Sequence, residues 1–141
     1  MFLKQLLITL AFLANSHAAS GAELGPCDSW IAATGKPKGV VLVTHGMNLK
    51  PTCMDELAQV FASEGYEVLR PAFTGHCGGN EKYLNVTAAD WEADAKRYHA
   101  IAAAKAKALN KPLHLAAYSF TALIYQTMEK ELPFERRVYL A

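Results

Sequence analysis

Ser119 is the residue of this chain whose setting is best suited to chemistry. It stands in Ala117-Tyr118-Ser119-Phe120-Thr121, between an apolar run (Leu113 to Ala117) and a helix-like run (Ala122 to Leu132). A serine at a strand-to-helix corner holds its hydroxyl clear of the backbone, which suits nucleophilic attack on an acyl carbon. The same corner puts the N–H of Phe120 at a helix N-terminus, where amides lack intrahelical partners and the dipole favours negative charge. An ordinary N-cap is the bland alternative, because serine is favoured there for backbone reasons alone. Two glycine-histidine segments favour the sharper reading: His45-Gly46-Met47-Asn48 and Gly75-His76-Cys77-Gly78-Gly79. The N–H of Met47, just after Gly46, is the natural second donor to an oxyanion. His45, Gly46 and His76 then support the loops. Histidine can also act as a general base, but His45 in this setting reads as a brace.

The elements that must position these residues follow from periodicity. Gly39 to Thr44 is a continuous apolar, β-branched run, which predicts a strand buried on both faces of a parallel sheet. Met54, Leu57, Ala58 and Phe61 recur at helical spacing, and Gly65 is suited to a left-handed helix cap. Tyr66 to Arg70 predicts a second strand, ended by Pro71, and Ala72 to Val86 a long glycine-containing loop. Thr87 with Asp90 resembles a capping box opening a long helix, along which Trp91, Ala95, Tyr98, Ala102, Ala106 and Leu109 share one face. Trp91 and Tyr98 read as core aromatics. Leu113 to Tyr118 predicts a third strand, Ser119 to Leu132 a third helix and Arg137 to Ala141 a fourth strand; Asp28 to Thr34 is a weaker outer-strand candidate. Strand-helix units repeated in this way give α/β architecture, a three-layer parallel sheet with flanking helices. Ligands bind such sheets at the carboxyl ends of the strands, where the three loops meet.

The bulk composition narrows the partners. A net charge of +1 over 141 residues gives no electrostatic reason to seek nucleic acid. Residues 1–18 read as a cleavable export signal: Lys4, then the apolar run Leu6 to Leu13, then Ser16-His17-Ala18 with small residues at the cleavage positions. The run is too short for a stable membrane span, so the expected localisation is secreted or periplasmic. Residues 19–37 then form an N-terminal extension and 38–141 the domain. Three cysteines remain, Cys27, Cys53 and Cys77, and sequence does not choose among their pairings. His45, Cys53, His76 and Cys77 are of zinc-ligating type, but their spacing fits no standard site. A Cys53–Cys77 disulfide across the two loops is the expectation preferred to a metal. No cofactor is expected.

Three stretches together, GVVLVTHGMN, YEVLRPAFTGHCGG and HLAAYSFTALI, resemble the first half of an α/β-hydrolase, in the lineage of secreted esterases, lipases and monoacylglycerol-lipase-like enzymes. The resemblance runs from about Lys38 to Ala141. It implies a truncated α/β-hydrolase fold, Ser119 as nucleophile, the N–H groups of Met47 and Phe120 as oxyanion donors, and a small ester or lipid-like substrate.

The chain also departs from that pattern. The family corner is G-x-S-x-G, and Thr121 places a β-branched side chain where the backbone is crowded. Cys77 replaces a glycine common in the Gly-His-Gly turn. The family order is serine, acid, histidine, yet beyond Ser119 the sequence has no histidine and no aspartate; its acids there are Glu129, Glu131 and Glu135. The resulting expectation is an incomplete hydrolase domain, inactive or weakly active alone, with its last strand open to edge-strand self-association. The alternative is a non-catalytic binding or scaffold protein on a degenerate hydrolase fold.

Overall fold

The computed structural model describes residues 23–78 and 84–141, so the expected export signal lies outside the described residues. Among the described residues, five strands and three α-helices succeed one another: β1 (Ser29–Ile31), β2 (Gly39–Thr44), α1 (Asp55–Ser63), β3 (Tyr66–Arg70), α2 (Ala88–Leu109), β4 (Leu113–Tyr118), α3 (Phe120–Thr127) and β5 (Arg136–Leu140). A 3₁₀ turn, Pro51–Met54, leads into α1. The sheet order is β1-β3-β2-β4-β5.

β2 is buried along its whole length. Val40 and Leu42 enter the core on one side of the sheet, Val41 and Val43 on the other. That is why its sequence is continuously apolar and not alternating. β2 pairs in parallel with both β3 and β4, and β4 with β5. The 3₁₀ turn and α1 cover one face through Met54, Ala58 and Ala62. α2 and α3 cover the other through Ala95, Tyr98, Ala102, Ala106, Ala122 and Tyr125. The alanines of α2 let its backbone approach the sheet closely, leaving room for Tyr98 to fill the core. Thr87 and Asp90 form the expected reciprocal capping box.

Three expectations need correction. The sheet is mixed and not all parallel: β1 pairs antiparallel with β3, Ser29 opposite Arg70. Residues 32–38 are too few for the crossover that a parallel strand would require. α3 stops at Thr127, short of Leu132. The Thr127 hydroxyl donates to Ile124 O at 2.7 Å, as does the Met128 amide at 3.2 Å. The chain then turns so that Met128 and Leu132 both return to the core.

The disulfide is the third correction. Cys27 pairs with Cys77, and Cys53 is a free, exposed thiol. The pairing follows from β1, whose register carries Cys27 to the end of β3 and the turn beyond. Arg70 fastens the same corner. It is 5% exposed, and it donates from Nη1 to Cys27 O at 2.7 Å and from Nη2 to Ser29 Oγ at 2.9 Å. Its Nε lies 2.7 Å from Asp55 Oδ1, an ion pair whose N–H is not aligned as a hydrogen bond.

Candidate functional site

Ser119 joins β4 to α3 with φ 53° and ψ −119°. Only one other non-glycine among the described residues has positive φ: Asn110, in the ordinary left-handed conformation at the end of α2. Ser119 is different, since its φ and ψ lie outside every comfortable region for an L-residue. Its amide is tied to Leu140 O at 2.8 Å, which anchors the corner to β5. Its side chain makes no cap hydrogen bond and the residue is exposed. A serine present only to cap the helix would use its hydroxyl for that purpose.

The His45-Gly46 turn presses against this corner. A Cβ built on Gly46 would lie 2.8 Å from Tyr118 Cδ1 and 3.3 Å from Ser119 Cβ. Glycine is therefore required for close approach. The peptide linking Gly46 to Met47 is trans, as are all those described. In a planar trans peptide the C=O and the following N–H point in opposite directions. His45 Nδ1 lies 2.9 Å from Gly46 O, and the Phe73 amide donates to His45 Nε2 at 3.1 Å. Because Nε2 accepts, Nδ1 carries the proton and donates to the carbonyl. The Gly46 carbonyl is thus drawn toward a buried ring, and the Met47 N–H is directed away from it.

Burial, with smaller contributions from the nearby His76 and Arg70, lowers the His45 pKa to about 4, although its bond to Gly46 acts in the opposite direction. The ring is neutral at neutral pH, fully buried, and engaged at both nitrogens. It can brace but not shuttle protons. His76 sits on the next peptide. Its Nε2 is 2.5 Å from Met47 O, and its ring stacks on Phe120 with centroids 5.5 Å apart and planes 15° from parallel.

Several residues that hold this region left little trace in the sequence. Thr121 is fully buried, and its hydroxyl lies 2.7 Å from Thr44 Oγ1 and 3.0 Å from both His45 O and Tyr118 O. The position that sequence marks as crowded is therefore a polar tie between α3, the end of β2 and the end of β4. Asp94 accepts from the Thr74 amide at 2.5 Å, and the Trp91 indole donates to Thr74 O at 3.0 Å. Trp91 is thus an anchor with a polar partner and only half buried, not simply a core aromatic. The buried Asp28 carboxylate accepts from the Gly25 amide at 2.6 Å and the Ala72 amide at 2.7 Å. Two of the three later acids are engaged elsewhere, Glu129 with Arg137 and Glu131 with Lys96. Cys77, committed to its disulfide, is removed from the imagined zinc set.

A sheet of this order, with a reversed first strand and a strained serine between β4 and α3, has the topology of the α/β-hydrolase fold. Solved structures share it. One, from work on LipS and LipT, two metagenome-derived lipolytic enzymes, matches with a TM-score of 0.65 and 24% identity, over 83% of this chain and 46% of that one. MenH from S. aureus matches with a TM-score of 0.54 and 16% identity, over 82% of this chain and 42% of that one. The chain spans less than half the length of either protein. No family model matches the sequence, and no curated protein matches it significantly. Among the described residues, no helix is long and apolar enough to cross a membrane.

Proposed function

We propose that this chain carries the nucleophile and oxyanion donors of an exported serine hydrolase acting on carboxylic esters or acyl-glycerol-like substrates. In this reading Ser119 Oγ attacks the ester carbonyl carbon, and the N–H groups of Met47 and Phe120 receive the developing oxyanion. The observation that carries it is the backbone of Ser119, strained, exposed and pressed against Gly46. Such strain persists only where the surrounding structure imposes it, and it clusters at functional sites. The lipolytic character of one structural neighbour supports the substrate class. Export is supported by the pattern of residues 1–18 and is consistent with a disulfide.

No residue of this sequence is assigned as the base. Without one, turnover falls by about 10⁴- to 10⁶-fold relative to a complete triad. Oxyanion donors and binding alone leave roughly 10³-fold acceleration over water. The expected result is slow covalent labelling of Ser119 by an alkyl fluorophosphonate, read by intact mass, and none in Ser119→Ala. A second reading, a non-catalytic binding protein, is favoured by the pairing of Glu129 and Glu131 away from the corner. Equal mass for treated and untreated wild-type protein decides for that second reading.

A further inference from the structure

We infer that His76 is a second positioning residue for the oxyanion loop, fixing the Met47–Asn48 peptide and, through Phe120, the separation of the two donor amides. The inference rests on the hydrolase reading and assigns a specific duty within it. His45 sets the plane of the peptide that carries the Met47 N–H. That plane can still swivel about Met47 unless the following peptide is also held, because each residue has two soft dihedrals. His76 holds it, with Nε2–H donating to Met47 O at 2.5 Å. The same ring lies nearly parallel to Phe120, the residue whose amide is the other donor. One side chain therefore touches both donor-bearing residues.

His76 is itself held. It is 8% exposed and follows Thr74, whose carbonyl and amide are taken by Trp91 at 3.0 Å and Asp94 at 2.5 Å. Trp91 and Asp94 lie three apart on α2, so they share a face and grip the loop together. Cys77, the next residue, is tied to Cys27. A ring fixed from α2 and from the disulfide transmits that rigidity to the oxyanion loop. Donors of this kind act by being in place before charge develops, so small displacements are costly.

The test compares full-length wild type with His76→Leu, which loses the N–H, and His76→Gln, which retains a donor. Two readouts are taken: the rate of Ser119 labelling by an alkyl fluorophosphonate, and hydrogen exchange of the Leu49 amide, which bonds Gly46 O at 3.2 Å. His76→Leu is expected to slow labelling by about 10- to 100-fold and to speed Leu49 exchange, leaving the β4 amides unchanged. His76→Gln is expected to recover most of the labelling rate. Labelling of His76→Leu at the wild-type rate overturns the inference. So does a His76→Gln variant as slow as His76→Leu, or faster exchange across β4 together with Leu49, which marks general loosening. If wild type does not label, the hydrolase reading fails on its own, and exchange decides: an unchanged Leu49 amide in His76→Leu then refutes the clamp as well.

Discussion

Ser119 holds a conformation, φ 53° and ψ −119°, that costs a residue with a Cβ about 1–3 kcal/mol. Glycine adopts it without that cost, but loses about 0.5–1 kcal/mol through unfolded-chain entropy. Ser119→Gly is therefore expected to be about 1 kcal/mol more stable than Ser119→Ala in urea denaturation, with neither variant labelled. Equal stability of the two variants would remove the strain argument. His45 supplies a second prediction. Burial takes its pKa from 6.5 to about 4. Above about pH 6.5 the ring is neutral folded or unfolded, so its contribution is complete there. As pH falls toward about 4 the unfolded chain binds a proton that the folded chain does not, and about 3 kcal/mol is lost. His45→Asn, which keeps a donor for Gly46 O but does not titrate, is expected to flatten the pH dependence between those limits; parallel curves for the two proteins contradict the assignment.

At the scale of elements, the disulfide joins the segment before β1 to the turn after β3, across 50 residues of sequence. In the chain-entropy model that closure is worth roughly 4 kcal/mol. The Cys27→Ser/Cys77→Ser double variant is expected to lose a stability of that order, and Cys53→Ser to lose almost none, when midpoints in urea are compared. A large loss in Cys53→Ser instead would point to the other pairing. This bond also marks the limit of what local sequence pattern encodes. β2 is legible because burial on both faces demands an uninterrupted apolar run, β3 and β4 because each keeps a shorter apolar stretch next to a proline boundary, Pro71 or Pro112, and α2 because its capping box and four-residue steps are local signals. β1 is short and only half buried, so its run was weak, and the cysteine pairing depends on its register. The corner and the His45-Gly46 turn were legible as residue types in order. The grip of Trp91 and Asp94 on Thr74 was not, because side-chain bonds to distant backbone leave no period in the sequence. Thr121 is similar: its β-branch is visible in the sequence, but the three oxygens around its hydroxyl are not.

At the scale of the molecule, the two edges of the sheet differ. β1 is a three-residue edge whose neighbourhood is secured by Arg70 and the disulfide. β5 is longer, and its only strand neighbour among the described residues is β4. Val138 within it is 48% exposed and borders a cavity of about 400 Å³, also lined by Val41, Phe61, Tyr66 and Leu115, on the face that α1 covers only in part. Unpaired N–H and C=O groups beside exposed apolar surface are a template for pairing with another strand. The expected behaviour is concentration-dependent self-association in sedimentation velocity, reduced in Val138→Lys, because a lysine on an edge strand costs little in the monomer but opposes burial in a strand–strand contact. Association unaffected by Val138→Lys would place the contact elsewhere, and a monomer at every concentration would leave β5 without that role. The comparison also bears on catalysis. If the lysine variant is monomeric and Ser119 still labels at the wild-type rate, the corner works within a single chain. A rate that falls with dissociation means that a second strand on β5 stiffens the corner through the Ser119 amide bond to Leu140 O.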